Sequence, residues 1–253
     1  MIKNQIKKIM SKKKDTGFIS HLTELRQRLI NSIIFLSVLF VICYYFSENI
    51  YGFLVDPYAQ AVKNDVVDRR LIFTALQETF LTYLKVSFFA AFFITSPFIL
   101  IQIWKFIAPG LYDSEKSAIM PYLIATPILF LLGGMLVYYL IMPLAIKFFL
   151  SFESVGLSTN LPIQLEAKVN EYLSLVMKLI FAFGLSFQLP VVLSLLARIG
   201  VVDSKYLRER RKYVVVIIFA AAAFLTPPDP VTQIGLAIPL LILYELSILS
   251  VKI

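Results

Sequence analysis

The stretch Phe106–Lys116, FIAPGLYDSEK, decides the fold because it is a short polar break between two long apolar runs. The runs that flank it, 84–107 and 118–150, are each long enough to cross a bilayer. Pro109 favours the end of the first run, and Glu115 is a favourable residue near the start of the second. The break is too short to form a domain, so we expect it to lie at a membrane surface.

The composition indicates an all-α membrane protein. Of the 253 residues, 59% are hydrophobic and only 16% are charged, whereas soluble domains carry about 25% charged residues. The net charge of +8 favours loops that face anionic lipid, and we expect no nucleic-acid binding. The single cysteine, Cys43, excludes an internal disulfide.

The chain divides into a lysine-rich segment, 1–17, and a single transmembrane domain, 18–253. We interpret the first as a basic cytoplasmic arm. No short apolar core with a small-residue cleavage site follows it, which argues against a cleaved signal peptide. Apolar residues recur at helical spacing from Phe18 to Leu29, which predicts an interfacial helix that leads straight into the membrane.

The apolar runs predict six transmembrane helices, at about 29–46, 78–107, 118–150, 169–198, 213–225 and 231–251. The wetter segment between the first two is expected to hold short interfacial helices. The third run would reach roughly 50 Å at about 1.5 Å per residue, so we expect it to tilt or bend. The fifth run is only roughly 20 Å long, too short to cross unaided, and it forms a short final hairpin with the sixth.

The distribution of Lys and Arg predicts that both termini are cytoplasmic, as in a protein of the inner membrane with six spans. One side carries Lys3, Lys7, Lys8, Lys12, Lys13, Lys14, Arg26, Arg28, Lys105, Lys116, Arg198, Lys205, Arg208, Arg210, Arg211, Lys212 and Lys252. The other side carries only Lys63, Arg69, Arg70 and Lys168. The polar break then lies on the cytoplasmic face, where its acids and the amphipathic N-terminal stretch are interpreted as one acidic recognition site.

The sequence gives no support for an enzyme, a cofactor or a metal site. The chain has one histidine, His21, so it lacks both the HExxH zinc pattern and a Ser-His dyad within a span. It has no GxxxxGK[ST] loop for nucleotide hydrolysis. Its aspartates fall at span ends or in loops, which disfavours a membrane aspartyl protease.

Five motifs in order resemble the TatC family, the receptor subunits of the twin-arginine protein translocase. They are HLTELRQRL (21–29), FIAPGLYDSEK (106–116), YLSLVMKLIFAFGLSFQLPVV (172–192), LRERRKYVVV (207–216) and FLTPPDPVTQ (224–233). The resemblance runs from about Phe18 to the C-terminus. It implies a receptor for folded proteins with Arg-Arg signal peptides, which works with TatA and TatB, forms oligomers and uses the proton-motive force.

The resemblance assigns the twin arginines to Glu24 and Glu115. Arginine pairs bidentately with carboxylates, so two acids suit two adjacent guanidinium groups. The alternatives are an i,i+4 pair of Glu24 with Arg28 and a helix-start role for Glu115. The matching loop residues Phe106, Leu111 and Tyr112 are expected to pack the signal peptide, or else to anchor the loop at the interface.

The resemblance also implies a contact site for partner helices at the turn before the last span, formed by Thr226, Pro227, Pro228, Asp229 and Gln233. The alternative is a proline turn with a capping acid. Pro57 and Pro109 match family positions that we expect to be structural.

The family often has a membrane-embedded Glu where this chain has Gln188, which puts a charged role there in doubt. Glu171 and Lys178 lie about two turns apart on the same span, and ionisable groups within a span are commonly functional. We therefore predict that Glu171 supplies the missing charge from another level.

Two other functions would fit a polytopic protein. An ion-coupled secondary transporter would show repeat symmetry and a midplane cavity, and the sequence shows no internal repeat. A structural scaffold is the third option. Because the fifth span is too short for an ordinary bilayer, we predict that the bilayer is locally thinner beside the last two helices.

Overall fold

The structure of the chain is a computed structural model that describes residues 2–63, 69–107, 120–153, 164–198, 200–226 and 229–252. Its helices are α1 (Ile2–Tyr45), α2 (Ser47–Val62), α3 (Glu78–Ile107), α4 (Met120–Leu136), α5 (Met142–Leu150), α6 (Val169–Ser186), α7 (Leu189–Arg198), α8 (Ser204–Glu209), α9 (Arg211–Leu225) and α10 (Pro230–Lys252). No strand occurs in these ranges. The predicted all-α class is therefore confirmed for the described residues.

Among the described residues, five helical stretches are long and apolar enough to cross a membrane. They are Leu22–Tyr45, Glu78–Ile103, Pro121–Leu150, Val169–Arg198 and Pro230–Val251. The remaining predicted span corresponds to α9, which has 15 residues. At about 1.5 Å per residue it is roughly 22 Å long, shorter than a hydrocarbon core of about 30 Å.

Prolines explain the breaks in two of the long stretches. Pro143 has no amide hydrogen for the carbonyl of Tyr139, and a π-helical turn at Val137–Ile141 lies just before it. Pro190 likewise leaves the carbonyl of Ser186 without its helical partner, and the chain breaks there between α6 and α7. The third and fourth predicted spans are thus each built of two helices.

Helix α6 is the centre of the bundle. Leu173, Val176, Leu179 and Phe183 follow one another at helical spacing and are fully buried on a helix that contacts α2, α3, α4 and α9. Helix α1, in contrast, packs mainly on α3 and leaves many apolar side chains exposed. In a bilayer these side chains face lipid, so the outer surface needs no polar cover.

A close helix contact brings α4 against α6. A Cβ atom on Gly133 would lie 2.7 Å from the carbonyl oxygen of Phe183 and 2.9 Å from Cα of Gly184. Glycine is therefore required for the two backbones to approach this closely, as is common between helices in membranes.

Two tyrosines donate hydrogen bonds to the middle of α2, where Pro57 interrupts the helical hydrogen bonds. Pro57 lacks the amide hydrogen that would pair with the carbonyl of Phe53. The hydroxyl of Tyr138 donates to that carbonyl at 2.9 Å, and the hydroxyl of Tyr172 donates to the carbonyl of Leu54 at 3.1 Å. The carbonyl that Pro57 leaves without a helical partner thus receives a hydrogen bond from the turn between α4 and α5.

The segments before α3, after α5 and before α6 are joined by an ion pair and, among the described residues, one β-bridge. Arg69 donates to both carboxylate oxygens of Glu153, at 2.7 and 2.6 Å, and the guanidinium is almost fully buried. Ile72 and Lys168 form the bridge. The hydrogen bonds from Arg69 lower the pKa of Glu153 below its ordinary value.

Candidate functional site

The acid of the N-terminal motif lies in a small polar network between α1 and α3. Oε1 of Glu24 accepts hydrogen bonds from Arg28, from Nε at 3.1 Å and from Nη2 at 2.5 Å. Nη1 of Arg28 also donates to Oε1 of Gln102 at 3.1 Å. Glu24 keeps 36% of its side-chain surface exposed, and Arg28 keeps 22%. The carboxylate therefore lies at the surface, already beside one guanidinium.

An apolar groove of about 310 Å³ lies next to this network. It runs between α1 and α3 and is lined by Leu25, Leu29, Ile33, Leu36, Phe92, Ile99, Ile103 and Phe106, with Arg28, Ser32 and Gln102 at its polar points. Its lining is almost entirely apolar. The arrangement places a half-exposed acid at the edge of a surface that can take an apolar helix.

Phe106 is brought to the groove by the last turn of α3, where it is partly buried. The other loop residues predicted for the site, Pro109, Leu111, Tyr112 and Glu115, lie outside the described residues. The predicted i,i+4 pair of Glu24 with Arg28 is present. Gln102, which completes the network, was missed by the sequence analysis. A single amide within an otherwise apolar run was its only signal.

The turn before α10 forms a second polar group. Oδ1 of Asp229 accepts from the amide of Thr232 at 2.7 Å, and its Oδ2 accepts from the Thr232 hydroxyl at 2.5 Å. The buried hydroxyl of Thr226 donates to the carbonyl of Ala222 at 2.8 Å. The capping acid that we predicted as the structural alternative is thus present. Pro227 and Pro228 lie outside the described residues.

Gln233 is the member of this group that faces outward. Its side chain is partly exposed on the first turns of α10. Nε2 donates to the carbonyl of Phe219 on α9, at 3.4 Å. This amide therefore lies between the last two helices, at a surface that a further helix could contact.

Gln188 lies at the break between α6 and α7 and is 4% exposed. Its Nε2 donates to the carbonyl of Thr126 at 2.9 Å, while Oε1 is buried with no hydrogen bond among the described residues. A neutral amide suits this position, because an isolated carboxylate would be costly to bury.

Glu171 lies in the first turn of α6, whereas Gln188 follows the last turn of that helix. The exposed carboxylate of Glu171 lies 3.7 Å from Nζ of Lys168. Lys178 is exposed on α6. The structure therefore does not bring Glu171, Lys178 and Gln188 together. Within the described residues, no group of His, Cys, Asp and Glu could hold a metal ion.

Comparison with known proteins identifies the group of proteins that this chain resembles. Residues 20–239 match the family described as Sec-independent protein translocase protein (TatC). The chain is 50% identical to such a protein from Magnetococcus marinus over 230 residues, covering 91% of this chain and 82% of the relative. It is 47% identical to one from Rickettsia prowazekii over 233 residues, covering 92% and 91%.

Solved structures show the same fold. A crystal structure of the twin arginine translocase receptor TatC in DDM is 39% identical to this chain and superposes with a TM-score of 0.77. That match covers 92% of this chain and 100% of the solved one. At this identity and coverage, the similarity extends to both sequence and fold.

Proposed function

The chain belongs to the TatC family, and from that membership we propose that it binds twin-arginine signal peptides as the receptor of the Tat translocase. A member of this family is a core subunit of that translocase, a protein-transport system. The resemblance further implies that folded cargo is exported at the expense of the proton-motive force. The reported relatives are translocase proteins, so the ion-coupled transporter is not favoured.

The half-exposed Glu24 beside the apolar groove is the observation that supports this proposal. A twin-arginine signal peptide combines two guanidinium groups with an apolar segment. The carboxylate suits the first part, because an ionised acid pairs strongly with arginine. The groove between α1 and α3 suits the second, because it offers apolar lining over about 310 Å³.

Arg28 gives the site a mechanism of exchange. The guanidinium of Arg28 pairs with Glu24 in this structure and also donates to Gln102. When a signal-peptide arginine pairs with Glu24, Gln102 keeps a partner for Arg28. Exchange then replaces the two hydrogen bonds from Arg28 to Glu24 with hydrogen bonds from the bound arginine, while the guanidinium of Arg28 keeps Gln102 as an acceptor.

The second acid of the proposed site is Glu115. We propose that Glu24 and Glu115 each bind one arginine, and that Phe106, Leu111 and Tyr112 pack on the peptide beside them. Phe106 already lines the groove. Two acids fit the preference for arginine over lysine, since lysine cannot form the forked pair.

In the proposed topology, the protein crosses the inner membrane six times and has both termini in the cytoplasm. Five candidate spans and the shorter α9 support the number. The excess of Lys and Arg on the side of the N-terminus supports the orientation. The Glu24 groove then opens at the cytoplasmic face, where signal peptides of newly made proteins arrive.

The partners in this proposal are TatA and TatB, which bind at the α9–α10 hairpin. Gln233 and the turn from Thr226 to Asp229 offer polar contacts there. Glu171 remains the predicted source of intramembrane charge in place of Gln188, and Lys178 lies about two turns further along α6. The receptor also forms oligomers with further copies of itself.

Photo-crosslinking from the groove tests the proposal. A crosslinker at Ile103, which lines the groove and is 47% exposed, should capture an Arg-Arg signal peptide and not its Lys-Lys counterpart. A crosslinker at Ile128, 51% exposed on α4, serves as the matched control. Equal capture of both peptides at Ile103, or preferential capture at Ile128, would refute the proposed site.

A further inference from the structure

A second cavity, of about 320 Å³, lies where three of the candidate spans end on one face of the bundle. Tyr122 comes from the start of α4, Arg198 from the end of α7, and Ser250 from the end of α10. The stretches Pro121–Leu150, Val169–Arg198 and Pro230–Val251 all have an end here. The cavity therefore lies at the level where hydrocarbon gives way to lipid headgroups.

The lining of this cavity is rich in hydrogen-bond donors. Nε of Arg198 donates to the hydroxyl of Tyr122 at 2.9 Å, and the guanidinium lies over the Tyr122 ring. A guanidinium has five N–H groups, and the other four N–H groups of Arg198 form no hydrogen bond among the described residues. The hydroxyls of Ser194, Ser204 and Ser250 also line the cavity, and none of them donates a hydrogen bond within the described part of the chain.

Among the described residues, one acid lines the cavity, and a hydrogen bond already holds it in place. Oδ1 of Asp203 accepts from the amide of Tyr206 at 2.6 Å and so caps α8. Arg198 forms no ion pair within 4.0 Å among the described residues. The cavity thus combines one guanidinium and three serine hydroxyls with one carboxylate whose Oδ1 already accepts a hydrogen bond. Since the carboxyl ends of α7 and α10 disfavour an anion, Arg198 must supply the attraction.

The surface beside the cavity has the character of a headgroup layer. The guanidinium of Arg210 lies 5.2 Å from the Tyr206 ring and 5.6 Å from the Tyr213 ring, and Nζ of Lys212 lies 5.1 Å from the latter. Val216, one turn further along α9, is 67% exposed. Cations and tyrosines above exposed apolar residues are typical of a membrane interface that holds anionic lipid.

We infer that this cavity binds the phosphate of an anionic phospholipid, with Arg198 as its charged ligand and the serine hydroxyls as additional donors. Basic pockets between transmembrane helices at the interface bind such headgroups. The acyl chains of the lipid would then lie along the exposed faces of the helices that end here. This site shares no residue with the Glu24 groove, so a test of lipid binding here does not depend on whether the groove binds a signal peptide.

Native mass spectrometry of the full-length protein in neutral detergent tests the inference. The protein is titrated with dioleoyl phosphatidylglycerol and, separately, with dioleoyl phosphatidylcholine. We expect tighter binding of one phosphatidylglycerol molecule, and Arg198→Gln to weaken that binding roughly fivefold. Lys205→Gln removes the same charge outside the cavity and should leave the affinity within about twofold. An equal loss of affinity in both variants would mean that the lipid is attracted by the overall positive charge of the surface, and it would overturn the proposed site.

Two further arms complete the test. Inorganic phosphate is added as a competitor, and displacement of the lipid at matched affinity would show that the cavity is a site for soluble phosphate instead. Should Arg198→Gln fail to fold, Ser194→Ala and Tyr122→Phe remove single ligand or positioning atoms. Each should weaken phosphatidylglycerol binding and leave phosphatidylcholine binding unchanged. An unchanged preference for phosphatidylglycerol in both variants would contradict the inference.

Discussion

The hydroxyl of Tyr138 should stabilise the protein chiefly because Pro57 leaves the carbonyl of Phe53 without a helical partner. Tyr138→Phe removes the 2.9 Å hydrogen bond. The ring, which stacks on Phe53 at a centroid distance of 4.3 Å, stays in place. Leaving a buried carbonyl without a donor costs about 1 to 3 kcal/mol. Because the carbonyl of Phe53 is only partly buried, we expect Tyr138→Phe to lower the free energy of unfolding by about 1 to 2 kcal/mol.

A double-mutant cycle between Pro57 and Tyr138 isolates the contribution of this hydrogen bond. In Pro57→Ala the amide of residue 57 returns and can donate to Phe53 within the helix, so the hydroxyl of Tyr138 becomes less important. Tyr138→Phe should then cost about 1 kcal/mol less than it does in the wild type. Tyr139→Phe is the matched control, because that side chain is 70% exposed and its hydroxyl forms no hydrogen bond among the described residues.

The free energy of unfolding is measured by titrating the protein in mixed micelles with sodium dodecyl sulfate and following the helical circular dichroism. If Tyr138→Phe costs the same in the wild type as in the Pro57→Ala background, the hydroxyl does not replace the bond that proline removes. A loss in Tyr139→Phe as large as that in Tyr138→Phe would show that the cost does not come from the hydrogen bond to Phe53.

Three further predictions follow from other parts of the fold. Gly133→Ala should destabilise the bundle by about 1 to 3 kcal/mol in the same unfolding assay, because its Cβ would meet backbone of Phe183 at 2.7 Å, whereas Gly52→Ala, with nothing within 4 Å, should be neutral or stabilising. Glu153→Gln should lower the Tm at neutral pH. Because Arg69 lowers the pKa of the Glu153 carboxyl, the ion pair stabilises the fold above the ordinary pKa of 4.5, and this stabilisation is lost as the pH falls through the lowered pKa. The Tm values of wild type and variant should therefore converge in acid. The bilayer should be thinner beside α9 and α10 than beside α3, as measured by the depth of spin-labelled lipids, and uniform thickness would contradict the proposed thinning.

The sequence predicted the helices well where a long apolar run ends at a charge or a turn signal. The runs predicted at 78–107 and 169–198 match the bounds of α3 and of α6 with α7. Composition sufficed there because a bilayer leaves a long apolar segment little choice but a helix. The short length of α9 was predicted from the same reasoning.

The side-chain network around Glu24 could be predicted only in part. The pair with Arg28 is local, so helical spacing predicts it. Gln102 lies 74 residues beyond Arg28 in the chain, and no pattern within either segment indicates which residues meet when α1 packs on α3. The hydrogen bond from Tyr138 to Phe53 was missed for the same reason, although Pro57 signalled that a carbonyl needed a partner.

The proposed receptor site depends on a pairing of Glu24 with the arginines of the signal peptide, and equilibrium binding measures it most directly. Fluorescent Arg-Arg and Lys-Lys peptides are titrated onto the purified protein and onto Glu24→Gln. Glu209→Gln, an exposed acid on α8, is the matched control. We predict that wild type and Glu209→Gln prefer Arg-Arg by at least about tenfold, because lysine cannot form the forked pair, and that Glu24→Gln loses most of that preference. An undiminished preference in Glu24→Gln would contradict the account.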